Sequence, residues 1–292
     1  RLEGNISPNF ATYFSLVSPR LSVLGDSDRS PTKEEMEEMK ERVQRAMDLG
    51  CLGVSTALFY APWVYFSTEE LIELTKVAGR VRGLYSSHIR DEGYGVLKAV
   101  EEAIQIGEES GSPVEIYHMK VAHAEVPENT TQSYINMIKE ARERGVDVSG
   151  DIYPYTSGST GIEAFLPRYL FENGLDDAVE RLKNEQTRAE VKTIILENTT
   201  DNWNLIAACG GMKNIFLSTT FTEEYDEYFG MSLEEIGLIL DKDPFDLAWD
   251  ILIASHPGRA RTIVNCIPKE SLESFFKQPF VSVGTDGDIV DK

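Results

Sequence analysis

His88 and His118 each close a short apolar run, in Ser86-Ser87-His88-Ile89-Arg90-Asp91-Glu92 and Ile116-Tyr117-His118-Met119-Lys120. Asp151 lies in Gly150-Asp151-Ile152-Tyr153-Pro154-Tyr155, and Asp286 in Gly284-Thr285-Asp286-Gly287. If these runs are strands of one parallel barrel, their C-terminal ends converge on one face, where active sites are built. Two imidazoles and a carboxylate from separate strands could then meet around one ion. Nitrogen and oxygen donors of this kind suit zinc, with an open position left for water. Each piece alone has a plainer reading. A lone strand-end His is commonly a hydrogen-bonded structural residue, and Asp and Gly are ordinary turn residues. Lys120 reads as a solvated charge, Cys51 as a small buried apolar residue, and His123 and His256 as surface loop residues. What points to a site is the joint pattern, in which His, His and Asp each end a separate apolar run.

The elements that must carry these residues alternate along the chain. Thr32-Lys33-Glu34-Glu35 has the form of a capping box and predicts a helix to about Gly50. Leu52-Gly53-Val54-Ser55-Thr56 follows as a buried strand. Ser67-Thr68-Glu69-Glu70 opens a second helix, to about Val81, and Leu84-Tyr85-Ser86-Ser87-His88 is the next strand. Val96, Val100, Ala103, Ile104 and Gly107 share one helical face, and Gly111-Ser112-Pro113 ends that helix before the strand Val114-Glu115-Ile116-Tyr117-His118. A helix over 131–144, a strand over 146–152 and a strand over 280–285 complete the pattern. Residues 163–255 are less regular, with several helices and a strand over 214–217. Strand–helix alternation at this spacing means βαβ units and a parallel sheet. The expectation is α/β, one domain over residues 1–292, barrel-like.

Composition narrows the classes. Against 49 Asp+Glu stand 28 Lys+Arg, a formal net charge of −21. That is the wrong sign for a nucleic-acid binder, which must displace phosphate counterions. Hydrophobic residues make up 41% and aromatics 10%, enough to bury a core and exclude global disorder. No run approaches the roughly 18 apolar residues of a membrane span, and the start Arg1-Leu2-Glu3-Gly4 carries no apolar signal-peptide run. Cys51, Cys209 and Cys266 are odd in number and widely spaced, which makes no disulfide framework. The chain reads as an acidic, soluble, cytoplasmic protein with no nucleic-acid or membrane partner. Self-association is compatible with the sequence but not specified by it.

Taken together the segments carry a resemblance. Leu52-Gly53-Val54-Ser55-Thr56 with Tyr60-Ala61-Pro62, Ser87-His88-Ile89-Arg90-Asp91-Glu92-Gly93, Ile116-Tyr117-His118-Met119-Lys120, the run from Asp151 to Thr160, and Gly284-Thr285-Asp286-Gly287 occur in one order. They resemble the D-aminoacylase (N-acyl-D-amino-acid deacylase) branch of the amidohydrolase superfamily, from about Leu21 to Asp288. The resemblance implies a zinc-dependent hydrolase on a (β/α)8 TIM-like barrel that releases a D-amino acid and a carboxylate from an N-acyl-D-amino acid. It implies His88 and His118 as zinc ligands and Asp286 as general acid/base. Lys120, Tyr153 and Ser159 are implied contacts for the substrate's carboxylate and carbonyl.

The pattern also departs from the family's. The resemblance implies a His-x-His pair and a Cys ligand on earlier strands, yet no His precedes His88, and Cys51 stands where the family has a small residue. The family's small β-domain and first strands are absent, and the chain ends six residues after Asp286. About six of eight barrel strands are therefore expected, in a fragment or in a chain completed by a partner. Val54-Ser55-Thr56-Ala57 offers no Lys to bridge two metals, which favours one tightly held zinc. Two other readings stand beside this one. A cyclic amide or imide hydrolase of dihydroorotase or hydantoinase type keeps the metal and changes the substrate. A non-catalytic barrel remnant or assembly chain keeps the fold and loses the chemistry.

Overall fold

Thr32 Oγ1 accepts a hydrogen bond from Glu35 N at 3.2 Å while Glu35 Oε2 accepts one from Thr32 N at 2.7 Å, closing the capping box that the sequence predicts. Ser67 and Glu70 repeat the device at the next long helix. Such caps satisfy backbone donors that the first helical turn would otherwise leave open. A computed structural model describes residues 11–123, 127, 129–197 and 204–287.

From Lys33 onward the first half alternates as expected, while the short strand and helix before it are not among the elements read from the sequence. β1 (Phe14–Ser15) leads through α1 (Val17–Leu24) and α2 (Lys33–Asp48) to β2 (Gly53–Ala57). Then come α3 (Thr68–Gly79), β3 (Leu84–His88), α4 (Val96–Ser110) and β4 (Val114–Ile116). α5 (Thr130–Glu143) and β5 (Val148–Ile152) follow. Gly111, in the left-handed conformation, ends α4, as the Gly-Ser-Pro stop signal requires.

Between β5 and the last strand lies a long excursion. It holds β6 (Gly158–Gly161), α6 (Gly174–Arg181), α7 (Glu185–Glu197), α8 (Leu205–Ala208) and β7 (Ile215–Thr219). It continues with α9 (Leu233–Leu240), α10 (Pro244–Ser255) and β8 (Arg261–Val264). The chain returns through α11 (Lys269–Phe276) to β9 (Val281–Val283). β6, β8 and β7 form a separate antiparallel sheet in that order. The sequence reading expects a strand at β7 but neither β6, whose Gly-Ser-Thr-Gly run has low strand propensity, nor β8, whose Arg-Thr-Ile-Val run is only four residues long.

The main sheet is parallel throughout, in the order β1-β2-β3-β4-β5-β9, and β1 and β9 are its edges among the described residues. Helices α2 to α5 pack each against the next along one side. Val54, Tyr85, Val114, Ile116 and Val148 have no exposed surface, and neither do Leu71, Leu74, Val100 and Ile138 on the helices over them. Apolar burial on this scale, at about 25 cal/mol per Å2, is the main term holding the layers together. Gly150 is forced by its place in the sheet: a Cβ there would sit 2.7 Å from Ile116 O and from Met119 Cγ. Among the described residues no helix is long and apolar enough to cross a membrane.

Three expected strands are shorter than the sequence reading has them, β5 starting at Val148 and not at 146. β4 stops at Ile116, so His118 lies in a turn beyond the strand with φ +37°. The reason is a competing acceptor: His118 N donates to Asp151 Oδ1 at 2.7 Å, and Met119 N to Asp151 O at 2.7 Å. β9 stops at Val283, and Asp286 lies in the following turn with φ +48°.

Candidate metal centre

The last residue of β3 is His88, and its ring meets that of His118 edge-on, centroids 4.6 Å apart. Glu92, four residues after His88, lies between them. Its Oε1 is 3.0 Å from His118 Nδ1 and its Oε2 is 3.8 Å from His88 Nε2. Donor atoms of His88, Glu92 and His118 all fall within 4.8 Å of one another. Lys120 closes the group, its Nζ donating to Glu92 Oε1 at 2.6 Å and to His118 O at 3.1 Å, and lying 2.7 Å from His118 Nδ1.

Burial decides the protonation states. Removal from water pulls the pKa of His88 down to about 3, against the opposing pull of Glu92, so the ring is neutral and can act as a ligand. Burial alone would raise Glu92, but the Lys120 ammonium and the two imidazoles outweigh it and hold the carboxyl below the usual carboxylate range. Burial alone would lower Lys120, and Glu92 outweighs that in turn, so Lys120 stays charged. The pair is ionised inside the protein.

Three donors of zinc-binding type therefore converge. His88 Nε2 is buried without a hydrogen-bond partner, which leaves it available to a ligand. A metal fits this set, with His88 and His118 as the imidazole donors.

The other expected residues fall in different places. Asp151 spends its carboxylate on the backbone of His118 and is a scaffold for the turn. Asp286 is exposed and outside the donor group, yet its charge reaches Tyr60 and Tyr153, raising both hydroxyl pKa values as a minor cause beside burial. Tyr153 is buried, with its ring centroid 6.2 Å from that of His118 and 5.6 Å from Lys120 Nζ, and burial pushes its hydroxyl up to about 12. Ser159 is exposed on β6, where it lines a cavity of about 690 Å3 with Tyr60, Thr160 and Trp63. Tyr60 links that cavity to the imidazoles: its hydroxyl is 3.1 Å from Thr160 Oγ1, and its ring centroid is 5.3 Å from that of His88.

Several plain readings are corrected. Lys120 is not a solvated strand-end charge but only 8% exposed, because Glu92 and His118 take its donors. His123 is not on the surface: it is buried with its ring against Tyr94, centroids 4.0 Å apart. His256 is half-buried, with Nε2 3.2 Å from Asp176. Cys51 is partly exposed beside β2 instead of buried. Glu92 is the residue that sequence reasoning missed. The spacing His88-x-x-x-Glu92 is its only local signal, and it means nothing until the chain is known to turn after the strand.

No protein-family model matches the chain. Over 141 residues it is 38% identical to the D-aminoacylase of Alcaligenes xylosoxydans xylosoxydans, covering 48% of this chain and 29% of that one. Over 154 residues it is 34% identical to the N-acyl-D-glutamate deacylase of the same organism, covering 52% of this chain and 31% of the relative. Its homologues are D-aminoacylases and N-acyl-D-amino-acid deacylases. Among solved structures, the N-acyl-D-glutamate deacylase of Bordetella bronchiseptica superimposes with a TM-score of 0.67 at 26% identity, over 91% of this chain and 45% of that one. That relative was solved with zinc and a phosphonate mimic of the reaction's tetrahedral intermediate. A D-aminoacylase structure that defines a novel subset of amidohydrolases gives 0.66 at 26%, over 91% and 45%. A D-aminoacylase has also been described with a binuclear metal centre, activated by one metal and attenuated by the second. The chain spans less than half the length of these deacylases.

Proposed function

We propose that this chain carries the metal-binding and substrate-facing strands of a zinc-dependent N-acyl-D-amino-acid deacylase, and that its six-stranded parallel sheet is part of a (β/α)8 barrel. The observation that supports this most directly is the neutral, unpartnered His88 imidazole beside His118, in a chain whose homologues are deacylases. His88 and His118 hold one tightly bound zinc, which supplies an acidified water and a polarised amide carbonyl when bound. Asp286 accepts a proton from the attacking water and returns it to the leaving amine; its exposed position leaves room for both transfers.

Tyr153 and Ser159 are the hydroxyl donors toward the substrate. Tyr153 carries its proton at neutral pH, and burial raises its hydroxyl further, to about 12, so it can donate to a developing oxyanion. Lys120 is the ammonium that faces the substrate carboxylate, held in one place by Glu92 and His118. The substrate is a small N-acyl-D-amino acid. In zinc-loaded full-length protein, N-acetyl-D-amino acids are expected to be hydrolysed in preference to their L enantiomers. Equal rates on the two would remove the D-deacylase reading, and faster opening of a hydantoin would replace it with cyclic amide hydrolysis.

A further inference from the structure

We propose that Glu92 is a positioning residue that cancels the charge of Lys120 beside the metal site and so permits a divalent cation to bind at the two imidazoles. The inference rests on the metal-site reading above. Lys120 Nζ lies 2.7 Å from His118 Nδ1, and the residue is 8% exposed. A cation bound at His88 and His118 would stand within a few ångströms of that ammonium with almost no water to screen it. Like charges so placed repel far more strongly than they do in solution.

Among the described residues, Glu92 is the carboxylate built into this cluster. It is 6% exposed, its Oε1 takes the Lys120 ammonium at 2.6 Å, and its Oε2 faces His88 Nε2 at 3.8 Å. One carboxylate thus spans the ammonium and both imidazoles. Its placement is enforced by the backbone, since Ala122 N donates to Glu92 O at 2.7 Å and ties the loop after β3 to the segment that carries Lys120. Asp91 Oδ1 accepts from Gly93 N at 2.7 Å and fixes the loop from its other side. Glu92 Oε1 also lies 3.0 Å from His118 Nδ1.

The test is a zinc-affinity cycle on the full-length protein, by chelator competition, with circular dichroism to verify folding. The four proteins are wild type, Glu92→Gln, Lys120→Met and the double variant. Glu92→Gln is expected to weaken zinc binding by about 10- to 100-fold. Removing the ammonium as well is expected to recover at least about tenfold of that loss, because the two residues act as one unit. Neither a lost ligand nor a general packing defect produces such a recovery. A double variant as weak as Glu92→Gln overturns the proposal and makes Glu92 a direct ligand. Glu92→Gln with wild-type affinity overturns it outright. Should Glu92→Gln not fold, the double variant against Lys120→Met decides, with near-equal affinity supporting the proposal and a loss of tenfold or more refuting it. A wild-type protein without zinc affinity fails the underlying metal-site reading, a result distinct from either of these.

Discussion

The C-terminal ends of the interior strands and the C-terminal end of the edge strand β9 carry chemistry in contrasting ways. Around β3, β4 and β5, Glu92, His118, Lys120 and Asp151 are tied together by polar contacts of 2.6–3.1 Å, and the His88 ring packs edge-on against His118. At β9, three residues of strand precede an exposed Asp286 in a left-handed turn. The first end is prearranged and buried, which suits ligands that must be neutral, fixed and close. The second is open, which suits a group that must exchange protons with water and with a leaving amine. Metal binding and proton transfer should therefore come apart under mutation.

The largest effect is expected from His88→Ala, which removes stoichiometric zinc and with it all turnover; elemental analysis of purified protein measures this. Retention of one zinc per chain would show that the buried end is not the metal site. Asp286→Asn should lower turnover by about 10²- to 10⁴-fold while zinc content stays at the wild-type value. If both fell together, the contrast between the ends would be lost. Asp151→Ala belongs to the buried end, and it leaves the His118 amide without its acceptor. About 1–3 kcal/mol of stability should go, along with some zinc affinity, as read by denaturant titration and metal competition. Unchanged affinity would mean that the His118 turn holds itself.

The smallest effect is expected where the same Glu–Lys chemistry stands in water. Glu73, with a side chain 44% exposed, pairs with Lys40 and Lys76 at 2.9 Å each. Hydrogen bonds from Lys40 and then Lys76 lower its pKa to about 2. Because the folded pKa lies below the ordinary value of 4.5, the stabilisation is complete above pH 4.5 and is lost as pH falls toward 2. Glu73→Gln should therefore cost less than about 1 kcal/mol at neutral pH, and the two proteins should converge in acid. A cost rivalling that of Asp151→Ala would break the distinction between buried and exposed pairs.

Much of the fold was legible in advance, for reasons that differ by element. α2 and α3 begin at Thr32 and Ser67 because a capping box is a local bargain between residues three apart. β3 matches its predicted range, Leu84 to His88, because it is an apolar run between clear breaks. β6 and β8 were not legible, since Gly158–Gly161 becomes a strand only by pairing with Arg261–Val264 across about a hundred residues of chain. The site divides in the same way. His88 and His118 stood out by type and by their place at the ends of apolar runs. Glu92 did not, because its role depends on where the loop after β3 lands relative to Lys120.

The sequence by itself determined the alternation of strands and helices from α2 to β5, the net acidic charge and the residue types at the strand ends, all of which follow from residue type and short-range periodicity. The tertiary structure alone decided that His88 is neutral, that Lys120 is buried against Glu92, that Asp151 bends the chain at His118 and that Asp286 stands in the open. Those outcomes depend on desolvation and on charges brought together from distant parts of the chain, as when Asp151 meets the backbone of a residue 33 positions earlier. No local pattern encodes such a meeting, because its energy exists only once water has been excluded.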